Sequence, residues 1–321
     1  MEVGILDTFI LGKTGIEVTK LCFGALPLGP LQKNLPVDEG GEVIAYGLNS
    51  GINFIDTAQG YKTYPHIKMA LDAVNFRPVI ATKSTAVDYE GMEEAIFEAL
   101  KSMDIDYIDI FHLHAARVEP DVFKVRKGAL QCLLDYKKKG IIRAVGISTH
   151  SVKIVQAAAY RDDIDVVFPL INKIGRGILE GTVADMEKAI DVCSKNGKGI
   201  YLMKVLGGGT MIDDFESSME YAFDLGNNYS IAVGMISNEE VEFNTKYFRG
   251  IRNLEDIIKI KNKKQVRVSQ GMCIGCGTCI SVCHSDAIDF DENEKAFIDQ
   301  SKCIQCGYCV ASCPEFCIRV I

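Results

Sequence analysis

Two groups of side chains in this 321-residue sequence have the types and spacing to do chemistry. Cys273, Cys276, Cys279 and Cys283 recur thirty residues later as Cys303, Cys306, Cys309 and Cys313, each run reading C-x2-C-x2-C-x3-C. Thiolates so spaced wrap the corners of a cubane iron-sulfur cluster, and the fourth cysteine of each run reaches across to the other cluster. Zinc is the competing metal, but four-cysteine zinc sites pair two C-x2-C knuckles instead of running four thiols together. Pro314 completes the second run; His284 stands in its place in the first and removes no thiolate. Cys317 falls thirty residues after Ala287, so the repeat gives it a packing position, ordinary for a small buried cysteine.

The second group closes three successive apolar runs. GINFIDTAQGY delivers Asp56 and Tyr61, PVIATKS delivers Lys83, and YIDIFHLHAA delivers His114. Taken singly, Asp56 reads as a helix cap, Lys83 as a solvated strand end and His114 as a satisfied core histidine. Three adjacent strand ends carrying them together read as a site, because catalytic groups of parallel barrels gather at the C-terminal ends of the strands. His112 points to the same side as His114 but lies deeper, as a supporting or core residue.

These groups need a frame that brings strand ends together. FILGKTGIEVTKL predicts an N-terminal hairpin turning at Gly12 to Gly15. Eight strand-helix units follow, with helices expected over 38–50, 65–74, 90–103, 121–139, 151–161, 182–196, 214–225 and 238–249. Alternation of this kind demands a parallel sheet, and eight units fit a closed (β/α)8 TIM barrel. No G-x-G-x-x-G follows the first strand, which weakens an open dinucleotide-binding sheet. From Asn253 the chain turns polar and basic, with KIKNKK at 259–264, so a boundary is expected there: a barrel over 1–264 and a small α+β domain over 265–321.

With these residues in place, Phe9 to Arg249 resembles the aldo-keto reductase superfamily, whose catalytic tetrad maps onto Asp56, Tyr61, Lys83 and His114. The resemblance implies reduction of an aldehyde or ketone, or the reverse, with NADH or NADPH as hydride carrier. Tyr61 would protonate the carbonyl oxygen; a free phenol, of pKa about 10, needs help near neutrality. Lys83 would lower that pKa, Asp56 would hold the lysine charged, and His114 would orient the carbonyl. The resemblance also implies nicotinamide contacts at Ser148, Thr149, Phe168 and Met203, three of which differ from the family pattern. Thr149 stands for an asparagine, Phe168 for a glutamine and Met203 for an aromatic ring. Lys204 and the run Gly207 to Gly209 resemble a branch of the superfamily that often carries cysteine-rich tails, and the resemblance places Lys204 and Gly207 among the cofactor-binding residues. Gly234 to Asn244, including Ser237 and Glu240, would wrap the adenosine end. Its carboxylates Glu239, Glu240 and Glu242 disfavour a ribose phosphate and keep NADH beside NADPH, unless Lys246 or Arg249 compensates.

Val266 to Ile321 resembles a bacterial dicluster ferredoxin. That resemblance implies one 4Fe-4S cluster on Cys273, Cys276, Cys279 and Cys313, and a second on Cys303, Cys306, Cys309 and Cys283. Nicotinamide moves two electrons and each cluster one, and no flavin signature bridges them. The fusion therefore leaves open a reductase linked to a redox partner protein, a barrel fed by cluster electrons, or a ferredoxin-type electron-transfer protein with a scaffold barrel.

A net charge of -8 argues against nucleic acid as the main partner. The sequence shows no leader pattern and no membrane-length apolar run, so a cytoplasmic protein, in an anaerobic or low-oxygen setting, is expected. Nine of the twelve cysteines lie between Cys273 and Cys317, which points to metal and away from disulfides. Cys22, Cys132 and Cys193 fall in barrel elements.

Overall fold

The computed structural model describes residues 6–116, 121–252, 265–283, 285–303 and 308–321. The expected hairpin is present: β1 (Thr8–Ile10) pairs antiparallel with β2 (Glu17–Thr19). Eight parallel strands then close into a barrel. They are β3 (Leu21–Gly24), β4 (Phe54–Asp56), β5 (Val79–Ser84), β6 (Ile108–Ala115), β7 (Ile142–Thr149), β8 (Val166–Pro169), β9 (Gly199–Leu202) and β10 (Tyr229–Gly234), with β10 pairing back onto β3.

The helices between them are α1 (Val37–Asn49), α2 (Tyr64–Asp72), α3 (Tyr89–Met103), α4 (Val122–Val125), α5 (Lys127–Lys138), α6 (Val152–Ala159), α7 (Val183–Lys195), α8 (Phe215–Asp224) and α9 (Asn238–Phe248). Side-chain caps fix several starts. Asp88 accepts from Gly91 N at α3, Ser151 from Ile154 N at α6, and Thr182 with Asp185 forms a capping box at α7. One expectation is corrected: the single helix over 121–139 is two, broken at Arg126. There the backbone leaves helical geometry and the buried guanidinium turns inward to donate to the His114 carbonyl oxygen at 3.0 Å.

Two apolar layers hold the barrel. The inner one stacks Cys22, Phe54, Ala81, Ile110, Ala144, Val166, Phe168 and Tyr201 upon Leu11, Ile16 and Val18 of the hairpin, which thus plugs the N-terminal end. The outer layer joins strands to helices and includes Cys132 and Cys193. Both faces of a parallel sheet are covered in such a fold, which is why the strands read as apolar runs.

The C-terminal region contains β11 (Val266–Val268), α10 (Thr278–Ser281), β12 (Ile288–Phe290), β13 (Ala296–Ile298), α11 (Tyr308–Ser312) and β14 (Ile318–Val320). Its strands pair antiparallel as β11 with β14 and β12 with β13, a small α+β unit. The expected linker at 253–264 lies outside the described residues, as do Cys306 and His284. β14 packs on the Gly207–Gly209 turn of the barrel. A Cβ on Gly209, whose φ is +93°, would stand 2.3 Å from the Val320 carbonyl oxygen, so this approach requires glycine.

Candidate active site

Asp56 ends β4 and Lys83 lies on β5, where neighbouring parallel strands place them side by side. Lys83 is 1% exposed and Asp56 4%. The ammonium donates to both Asp56 carboxylate oxygens at 2.7 Å and to the Thr57 carbonyl oxygen at 2.7 Å. All three of its protons are thereby placed. Burial pushes Asp56 up and Lys83 down, and the ion pair opposes both shifts.

Tyr61 closes a single 3-10 turn, Gln59–Tyr61, just beyond β4. Its ring lies 4.9 Å from Lys83 Nζ and meets the His114 ring edge-on, with centroids 6.1 Å apart. The expected lowering of the phenol by Lys83 is not found. Burial raises Tyr61 well above the ordinary tyrosine value, Asp56 raises it further, and Arg319 alone opposes them. The physical reason is that burial of the phenol dominates, while the Asp56 carboxylate paired with Lys83 offsets the ammonium at the ring. His114 falls to about 3, chiefly through burial and then through Lys83, Lys204 and Arg126, so its imidazole is neutral near pH 7.

Beneath these residues lies a chain that the sequence reading did not contain. Tyr201 of β9 donates to Asp56 Oδ1 at 2.9 Å and sits 2.7 Å from His112 Nε2. Since the phenol has one proton, His112 Nε2 carries the other and donates to Tyr201, leaving Nδ1 bare. That nitrogen is indeed buried without a partner, and Gly146 makes room for it: a Cβ there would stand 2.2 Å away. Strand alternation could have flagged Tyr201, two residues before Met203 and on its face.

Above the chain opens a cavity of about 190 Å³. Of the sequence-predicted residues, Asp56, Tyr61, Phe168, Met203, Lys204 and Gly234 line it. Phe168 also stacks on Tyr201, centroids 3.8 Å apart. Ser148 lies on β7 in register with His114 and Phe168, its hydroxyl buried and without a partner, while Thr149 Oγ1 accepts from Ser151 N. Gly207 is buried in the turn that receives β14. Of the adenosine-end candidates Gly234 lines the cavity, whereas Ser237, Glu240 and Asn244 do not. Ser237 caps α9 by accepting from Glu240 N, Glu240 accepts from Ile236 N at 2.9 Å, and Asn244 donates to the Glu240 carbonyl oxygen. Lys246 pairs with Glu242 and Arg249 donates to Ser50.

Arg319, Val320 and Ile321 of the C-terminal region complete the cavity wall, which no sequence signal announced. Phe316 lies beside them, its ring centroid 4.5 Å from Lys204 Nζ and 4.2 Å from Arg319 Cζ.

In the C-terminal region Cys273, Cys276, Cys279 and Cys313 line one pocket, the set expected for the first cluster. Backbone N–H groups point at ligand sulfurs: Ala296 to Cys273, Ala287 to Cys283 and Cys317 to Cys313, at 3.3–3.4 Å. Such donors favour thiolates in iron-sulfur proteins. Among the described residues no three such donors converge on a single-ion site; a cubane of four irons and four sulfides holds its ligands farther apart. Cys317 is buried in the small core, 3% exposed, and lines the same pocket with its sulfur 3.3 Å from that of Cys313. Its hydrogen bond lowers the Cys313 thiol from its ordinary value. Cys303 and Cys309 are described, but the second set is incomplete there because Cys306 lies outside.

Comparisons with known proteins agree with this geometry. The chain is 26% identical to L-galactose dehydrogenase of Arabidopsis thaliana over 188 residues, 55% of this chain and 59% of that one. It is 30% identical to methylglyoxal reductase of Escherichia coli K12 over 135 residues, 41% and 46%. The chain spans about half the length of the curated relatives it matches. A solved aldo-keto reductase of Bombyx mori in complex with NADP shares the fold, with TM-score 0.57 and 16% identity over 81% of this chain and 93% of that one. The 4Fe-4S dicluster domain model matches residues 272–318. The Aldo/keto reductase family model matches residues 20–269, and the chain belongs to that family, joined to a 4Fe-4S dicluster domain.

Proposed function

We propose that the chain is an NAD(P)H-dependent reductase of a small aldehyde or ketone, with Tyr61 as proton donor. One observation carries this reading: the Lys83–Asp56 pair lies buried behind Tyr61, which lines an apolar cavity and whose ring meets that of neutral His114 edge-on. Nicotinamide, when bound, supplies hydride to the carbonyl carbon. Tyr61, its proton retained by burial, protonates the carbonyl oxygen as charge develops there. The raised pKa keeps Tyr61 protonated through the neutral range. His114, neutral, orients the oxygen without competing as an acid, and the ammonium of Lys83 stabilises negative charge forming on Tyr61. Ser148, with a buried hydroxyl lacking a partner, suits the carboxamide end of the cofactor. Glu240 and Glu242 are held at the expected adenosine end while Lys246 and Arg249 are engaged with Glu242 and Ser50, which favours NADH over NADPH.

A second reading is favoured by the Phe316–Arg319 stretch, which follows the first cluster's Cys313 and enters the cavity wall: cluster electrons reach an acceptor in the barrel. The deciding experiment is Tyr61→Phe in cluster-loaded protein. Carbonyl reduction should fall at least about 100-fold, with NADH affinity and cluster absorption unchanged. Near-full activity in that variant would remove Tyr61 from the proton-donor role.

A further inference from the structure

The barrel presents to the iron-sulfur region one cation whose bonding is incomplete. Arg176 lies in the loop after β8, and the buried Asn172 side chain clamps its backbone, accepting from Arg176 N at 2.8 Å and donating to its carbonyl oxygen at 2.9 Å. The guanidinium Nη1 donates to Thr210 Oγ1 at 2.9 Å. Nη2 is buried and finds no acceptor among the described residues. A buried donor so left is costly, and more so on a charged group.

The guanidinium lies beside the turn that begins at Cys313, expected to ligate the first cluster. Its Cζ stands 5.5 Å from the centroid of the Phe316 ring. Phe316 N donates to the Cys313 carbonyl oxygen at 3.2 Å, so that ring belongs to the tight turn at the ligand. Gly177, with φ +83°, lets the turn come this close, since a Cβ there would stand 3.0 Å from Phe316 Cε2. Lys204 and Arg319 also meet the ring, but Lys204 Nζ lies 3.2 Å from His150 Nε2 and Arg319 donates to the Ile318 carbonyl oxygen at 2.9 Å. Burial lowers the Arg176 guanidinium, and Cys313 and then Cys309 oppose that shift, as thiolates near a cation do.

We propose that Arg176 tunes the first cluster, its charge and unused N–H stabilising the reduced form, so that the barrel sets how readily the iron-sulfur region accepts an electron. A 4Fe-4S core on four thiolates is anionic, and one-electron reduction adds a further negative charge. A nearby cation and a hydrogen bond toward sulfur both stabilise that added charge and raise the potential. No bond forms or breaks; the electron comes from an external reductant and stays on the cluster. The inference concerns the cluster alone and stands apart from the role of Tyr61.

Cluster-loaded full-length protein is titrated anaerobically with dithionite and redox mediators, and reduced clusters are counted by electron paramagnetic resonance, as wild type, Arg176→Gln, Arg176→Lys and Lys13→Gln. Lys13 is the charge-matched control, in the turn of the hairpin that plugs the N-terminal end of the barrel, whereas Arg176 follows the C-terminal end of β8. Arg176→Gln should disfavour reduction of one cluster about 10-fold, a midpoint about 59 mV lower for one electron, with iron content and visible absorption unchanged. Arg176→Lys keeps the charge and loses the planar fork, so it should fall between. Lys13→Gln should match the wild type. Unchanged or raised midpoints in Arg176→Gln with clusters intact would overturn the proposal. So would an equal fall in Lys13→Gln, by assigning the effect to net charge. If Arg176→Gln does not hold its clusters, Arg176→Lys decides: a midpoint below the wild type supports the proposal, and one equal to it overturns it.

Discussion

The barrel centre and the iron-sulfur region both place ionisable groups in their cores, Asp56 and Lys83 in one and Cys273, Cys279 and Cys309 in the other, and they do it by different means. At the barrel centre Tyr201 reaches Asp56 across 145 residues of sequence, and Lys83 reaches it across 27. Strands buried on both faces hold these groups in place with no ligand required. The iron-sulfur region has strands of three residues, and its core mixes Val266, Ile288, Ile298 and Ile318 with Cys273, Cys279 and Cys309. Domains this small rarely bury enough apolar surface to be stable alone and lean on metals instead. The difference shows where ligand and fold are separable: a barrel can wait for its cofactor, whereas the smaller region has cluster ligands for a core.

The sharpest way to break that contrast is to remove iron. Anaerobic chelation should unfold 265–321 while the barrel keeps its cooperative transition, as followed by limited proteolysis and circular dichroism. A C-terminal region that stayed protease-resistant without iron would show that its core stands without clusters.

Next in size is Asp56→Asn. It leaves the buried Lys83 charge unmatched and should cost about 3–5 kcal/mol, measured as a shift of the barrel's urea midpoint. A loss below about 1 kcal/mol would mean that Lys83 is not held as an ammonium. Tyr201→Phe deletes the link between Asp56 and His112 and should cost about 1–3 kcal/mol, with clusters unaffected. Were it neutral, the chain under the site would be packing and not polar support.

The gentlest effect near neutrality is on pH. Folding depresses His114 from 6.5 to about 3 and lowers buried His112 as well. The unfolded chain therefore takes up these protons first, so stability is whole above about pH 6.5 and declines as pH falls toward 3. Midpoints at pH 7.5 and 5 should differ in the wild type, and His114→Gln should narrow the gap. An unchanged gap would show that His114 titrates normally in the folded protein.

How much of this was legible in the chain depended on how local each feature is. The cluster ligands were read from thirty-residue spacing, because a cluster constrains neighbours along the chain. The eight strands and their helices were read from alternation, and Asp56, Tyr61, Lys83 and His114 from their shared place at strand ends. The split at Arg126 was not legible, since it depends on a guanidinium finding the His114 carbonyl oxygen. Nor was the direction of the Tyr61 pKa, which follows first from burial of the phenol and then from the nearby Asp56 carboxylate.

The sequence by itself thus determined the barrel, the cysteine repeat of the 4Fe-4S dicluster domain and the residue types at the strand ends, because periodicity and spacing are properties of the chain. Only the tertiary structure decided that Tyr201 and His112 support Asp56, that the Gly207–Gly209 turn receives β14, and that Arg319 enters the barrel's cavity. Those contacts join surfaces far apart in sequence, where shape and burial choose the partner and no local pattern records the choice.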